Sequence, residues 1–170
     1  MAHVLPLFDD ILPETPKTEG IKYAGSKLKL LPQILYLASK VSATTVTDAF
    51  AGTTRVSQAF AQLGYDVICN DRAVWSETFG NCYLKADANN RHYQELVDHL
   101  NAVVPRDGWF TDNYGGLPNG GSAIHCDGLK KPWQIHNTRK LDGIREEIDT
   151  LKLNSIEKSV ALTSLVLALD

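Results

Sequence analysis

Residues 44–71 constrain the fold more tightly than any other part of this 170-residue sequence. The stretch opens with Thr44, Thr45, Val46 and Thr47, β-branched residues that suit a strand. It continues through Asp48 and Phe50 into Ala51-Gly52-Thr53-Thr54, where a small residue and a glycine allow a tight bend. Val56, Ala59, Phe60 and Leu63 then recur at helical spacing, and Gly64 follows as a helix-terminating glycine would. A second short strand carries Val67, Ile68 and Cys69 and finishes at Asp71. Strand, bend, helix, glycine, strand is the opening βαβ unit of an α/β fold.

The remainder of the chain is read outward from that unit. Residues 1–20, with Pro6, Pro13 and Pro16 among acidic and polar groups, read as an extended N-terminal arm or a poorly ordered leader. From residue 21 a loop leads into helical spacing at Leu28, Leu31, Ile34, Leu35 and Ala38, with Pro32 tolerated in the first turn. Further helices are expected near 74–84 and 93–103. Residues 105–132 collect glycines 108, 115, 116, 120, 121 and 128 and predict a long loop or irregular insertion. Two helices follow. The first has Leu141, Ile144, Ile148 and Leu151 on one face, and the second is opened by Asn154 with Glu157 three residues on, a capping-box pattern. On this reading residues 21–170 form the N-terminal part of one domain that is truncated or split.

Composition removes several classes. At 44% hydrophobic residues the chain can close a real core, and a net charge of −3 gives no global field that draws in nucleic acid. Cys69, Cys82 and Cys126 form no C-x-x-C pair and leave one cysteine over in any disulfide scheme, which favours a reducing, cytoplasmic setting. No signal peptide and no membrane span is legible.

The bend after the first strand carries the chemistry. Asp48 places a carboxylate on the strand, and the helix that starts after Thr53 presents unpaired N–H groups suited to an anionic group. An acid at the end of the second strand, Asp71, can hydrogen-bond the two hydroxyls of a ribose. Read alone, the pattern indicates a nucleoside-containing cofactor, and a plain structural turn at Gly52 and Asp71 stays open beside it. A nicotinamide site needs G-x-G-x-x-G, but Gly52 is followed by Thr53, Thr54 and Arg55. A P-loop needs Gly-Lys-Ser/Thr, and no lysine follows Gly52. A ligand with ribose and carboxylate but no diphosphate, such as S-adenosylmethionine, fits better.

Three segments resemble the Dam-like adenine-specific DNA methyltransferases. Lys22-Tyr23-Ala24-Gly25-Ser26-Lys27 is similar to their amino-terminal motif, Asp48-Ala49-Phe50-Ala51-Gly52-Thr53 to their cofactor motif, and residues 64–71 to the strand that ends in their ribose-binding acid. The resemblance implies a Rossmann-like S-adenosylmethionine-dependent methyltransferase fold, present here as an incomplete front half. It implies that Tyr23 and Lys27 contact the cofactor, with Lys27 near its carboxylate. Phe50, Ala51, Gly52 and Thr53 would line the pocket, with Asp48 on the strand beside it, and Asp71 would hold the ribose. Packing of Tyr23 on the helix and a solvated Lys27 are the alternatives at those two positions. Thr54 departs from the family, where another glycine is common.

The family's Asp/Asn-Pro-Pro-aromatic motif, which receives the adenine amino group and stacks on the flipped base, has no match, because no two of the seven prolines are adjacent. The expected function is therefore adenine methylation of DNA, with this chain holding the cofactor half and inactive alone. A second chain or C-terminal half would carry the missing motif. Two other classes stay open: a non-catalytic cofactor-binding module that regulates a partner, and an NAD-binding domain. Lys130, Lys131, Arg139 and Lys140 around Trp133 and His136 suit either a phosphate contact or a solvated face. His125, Cys126, Cys82 and His136 lack metal-ligand spacing, so no metal site is expected.

Overall fold

The computed structural model describes residues 14–22, 25–87 and 89–169. They form a mixed α/β structure with two small sheets, in two compact units that divide between Lys85 and Ala86.

In the first unit a 3-10 turn, Lys27–Leu30, runs into helix α1, Leu31–Ser39, with Pro32 in its first turn as expected. Strand β1 is Thr45–Asp48, helix α2 is Arg55–Gln62, and strand β2 is Asp66–Cys69. β1 and β2 pair in parallel, with Thr45 opposite Asp66 and Asp48 opposite Cys69. This register brings both strands to their C-terminal ends side by side, where ligands bind in open α/β sheets. Helix α3, Val74–Gly80, follows, and a π-helical turn, Asn81–Lys85, extends it.

Leu31 and Leu35 of α1 pack against Val56, Ala59 and Phe60 of α2, with Val46, Tyr65 and Val67 around them. The Phe60 and Tyr65 rings meet edge to face at 5.2 Å. Burying a side chain such as Phe60 contributes about 1.5–3 kcal/mol, so this seam fixes where the bend between β1 and α2 can lie.

Residues 17–20 are held against α2. Their peptide groups run along α2 and are bonded by side chains of its polar face. Arg55 donates to the Thr18 and Gly20 carbonyls at 2.5 and 2.6 Å. The Gln58 carboxamide accepts the Glu19 N–H at 2.9 Å and donates to the Glu19 carbonyl at 3.0 Å, and Gln62 donates to the Lys17 carbonyl at 2.9 Å. The first thirteen residues of the expected arm lie outside the described residues.

The second unit holds α4 (Asn90–Ala102), α5 (Trp109–Tyr114), β3 (Gly115–Asn119), β4 (Ser122–Ile124), β5 (Trp133–Gln134), α6 (Ile135–Thr150) and α7 (Ser155–Leu167). The glycine-rich residues 105–132, expected as a long loop or irregular insertion, hold α5 and the β3–β4 hairpin, and β5 just beyond them completes a three-stranded sheet in the order β4-β3-β5. β3 and β4 are antiparallel, and the turn between them places Gly120 and Gly121 at φ +55° and +84°. Two successive positive φ values are what a tight hairpin requires, and glycine reaches them without steric cost. Leu100, Ile144, Ile148 and Ala161 form this unit's core. The capping box at Asn154 and Glu157 is formed. Among the described residues no helix is long and apolar enough to cross a membrane.

Candidate functional site

The bend between β1 and α2 is locked from both sides. The Ala51 N–H donates to the Asn70 carbonyl at 3.0 Å, and the Asn70 N–H donates to the Asp48 carbonyl at 2.9 Å. The Asn70 carboxamide adds a bond to the Ala49 carbonyl at 3.1 Å. Gly52 turns the chain at φ +52°, and Thr54 follows at φ +62° with no exposed surface. A β-branched residue in the left-handed region is an outlier that its surroundings must hold. Here the Thr54 N–H donates to the Ala51 carbonyl at 2.8 Å, and its Oγ1 accepts from Gln58 at 3.1 Å.

A cavity of about 350 Å³ opens beside this bend. Gly25, Ser26 and Lys27 form one wall, residues 50–53 with Arg55 and Val56 another, and Asp71, Ala73 and Trp75 a third. The Lys27 ammonium donates to the Phe50 carbonyl at 2.5 Å. Asp71 accepts the Gly52 N–H at 2.8 Å on one oxygen and the Ala73 N–H at 2.9 Å on the other. The Ala73 amide first and the Gly52 amide second hold the Asp71 carboxyl below its ordinary value of 3.8, with the Lys27 charge adding to them. A carboxylate has room for about four hydrogen bonds, so Asp71 keeps acceptor capacity for a ligand hydroxyl pair. No side chain caps the N-terminus of α2.

The model of the D12 class N6 adenine-specific DNA methyltransferases matches residues 23–166. The chain belongs to that family. It is also similar to the Type II methyltransferase M.NlaIII of Neisseria lactamica, 26% identical over 137 residues. That alignment covers 78% of this chain and 39% of the relative, so the chain spans about two fifths of the relative's length. No solved structure matches.

Of the residues that the sequence singles out, Lys27, Phe50, Ala51, Gly52, Thr53 and Asp71 meet at the one cavity. Asp48 does not line it. Its buried carboxylate accepts the Ser57 hydroxyl at 2.8 Å and so ties β1 to α2. Tyr23 lies outside the described residues. Arg55, Ala73 and Trp75 also line the cavity, and nothing in the sequence pattern marks them for it. Trp75 sits in α3 against the buried Phe79 ring at 5.7 Å, and a lone tryptophan at a helix start gives no spacing signal.

Three of the four cations in the basic stretch of the second unit, Lys131, Arg139 and Lys140, have internal partners. Arg139 donates to Asp107 at 2.6 Å, and Lys140 donates to the Asn101 and Val103 carbonyls at 2.7 and 2.6 Å. Lys131 lies 3.6 Å from Asp127, which also pairs with His125 at 3.2 Å. Among the described residues no group of three or more His, Cys, Asp or Glu side chains could hold a metal ion.

Proposed function

We propose that the cavity beside the β1–α2 bend binds S-adenosylmethionine and that the chain is the donor-holding part of an adenine-specific DNA methyltransferase of the restriction–modification type. The observation that carries this reading is Asp71. Its carboxylate stands at the end of β2 with two oxygens fixed by backbone amides and acceptor capacity left over, across the cavity from Lys27. The chemistry of the wall fits the group. Asp71 would take the ribose hydroxyls, and Lys27 with the α2 N-terminus would face the amino-acid carboxylate. Residues 50–53 would line the path between them, and Tyr23 would add a cofactor contact. Asp48 would act indirectly, by holding α2 to β1. When bound, the cofactor supplies an activated methyl group on a sulfonium.

On this reading the parallel pair β1 and β2 belongs to a Rossmann-like sheet that is incomplete here. DNA is the substrate of the complete enzyme. The Asp/Asn-Pro-Pro-aromatic element that receives the adenine amino group comes from a second chain or a C-terminal half, and the 170 residues alone hold the donor without turnover.

Calorimetric titration tests the reading. S-adenosylmethionine should bind the wild-type chain, and Asp71→Ala should weaken binding by about tenfold or more, since hydrogen bonds to a charged group are among the stronger ones. NAD should bind poorly, because the bend lacks the glycines that let backbone approach a diphosphate. Tight NAD binding, or equal affinity in Asp71→Ala, would overturn the assignment.

A further inference from the structure

One face of α2 is spent on holding a piece of extended chain. Arg55, Gln58 and Gln62 recur at helical spacing and together bond the backbone of all four residues 17–20. The Gln58 carboxamide pairs with Glu19 on both its N–H and its carbonyl, as a neighbouring strand would. Gln58 and Thr18 are buried although both are polar, so these bonds satisfy groups that water does not reach.

This strap touches the cavity wall directly. A Cβ placed on Gly20 would lie 3.5 Å from the Thr53 carbonyl oxygen and 3.7 Å from the Arg55 guanidinium carbon. Thr53 and Arg55 both line the cavity, while Gln58 and Gln62 do not. Gln58 also bonds Thr54, the residue held in the left-handed region at the bend. The strap, the helix face and the bend are therefore one hydrogen-bonded assembly, in which Arg55 is cavity wall and Thr53, also cavity wall, lies beside Gly20.

We propose that residues 17–20 are a positioning strap for the methyl-donor site, with Arg55 and Gln58 as the positioning residues that couple strap docking to ligand binding. The proposal rests on the cavity being the S-adenosylmethionine site. Coupling is reciprocal: a docked strap raises ligand affinity, and bound ligand holds the strap down by the same factor.

The test uses the full chain, titrated calorimetrically with S-adenosylmethionine, and limited trypsin digestion with and without that ligand. The exposed Lys17 offers a cleavage site at the strap's outer end. Gln58→Ala, which changes no wall residue, should weaken binding by about fivefold to tenfold and speed cleavage after Lys17. Saturating ligand should slow that cleavage in wild type. Gln62→Ala removes only the outermost, exposed contact, so it keeps the test decisive where Gln58→Ala fails to fold. It should speed cleavage and weaken binding about twofold. A purely structural role would lower the melting temperature yet leave affinity, measured well below melting, unchanged. Unchanged affinity in a folded variant, or cleavage that ignores the ligand, would overturn the strap's role while leaving the cofactor assignment standing. Failure of wild type to bind S-adenosylmethionine would remove both.

Discussion

The Asp142 carboxylate of α6 receives three hydrogens from α5: the Phe110 N–H at 3.0 Å, the Thr111 N–H at 2.8 Å and the Thr111 hydroxyl at 2.7 Å. It caps a helix to which it does not belong, and it compensates for its own burial by doing so. The approach needs room at Gly108, where a Cβ would lie 2.7 Å from the Asp142 carboxyl carbon. Gly108→Ala should therefore destabilise the chain by about 1–3 kcal/mol, the usual cost of overpacking. Thermal unfolding checks it, with a fall of about 2–4 °C for each kcal/mol in a chain of this size. An unchanged midpoint would show that the carboxylate moves aside freely. Nothing in the local sequence announces this contact, because Gly108 and Asp142 are far apart in the chain. The same holds for Asp48, whose type and position are legible while its partner, the Ser57 hydroxyl, is not.

Where the determinants are local, whole elements are legible. α7 starts where Asn154 and Glu157 say it should. The Asn154 side chain accepts the Ile156 and Glu157 N–H groups at 2.9 Å, and Glu157 returns a bond to the Asn154 N–H at 2.8 Å. Asn154→Ala should cost about 1 kcal/mol, read as a shift in the denaturation midpoint with an unchanged slope. The Asn154 amide first and the His92 ring second hold the Glu157 carboxyl below its ordinary value of 4.5. A depressed folded value means that this stabilisation is fully present above 4.5 and is lost as pH falls through the lower folded value. Acid titration of α7 amide signals should show the helix start intact at pH 5, and loss of the cap already at pH 5 would contradict the assignment. The α2 face shows the opposite case. Arg55, Gln58 and Gln62 are polar at helical spacing, a pattern that names no partner, and they meet the strap's peptide groups. Glycine-rich residues 105–132 do not reveal their hairpin either, since a tight hairpin and a loop use the same residue.

Across the chain, the βαβ unit is legible in the sequence, and six of the eight expected site residues line one cavity, because the strand ends, the bend and the acid after β2 are all set by short-range pattern. It does not show the division into two units or what backs the cavity wall, which depend on pairings between distant residues. Ligand binding should register on this scale too. At a hundredfold excess over its dissociation constant, S-adenosylmethionine should add about 2.7 kcal/mol to stability. Hydrogen exchange should slow at residues 25–27, 50–55 and 71–75, and slowing confined to residues beyond 86 would place the ligand elsewhere. Thr54 gives the site its last property. A left-handed residue that is not glycine sits about 1–2 kcal/mol uphill, so the bend resembles a loaded spring that its neighbours keep compressed. Selection for heat resistance alone should favour glycine or asparagine there, and such a variant would keep its shape even after its neighbours let go.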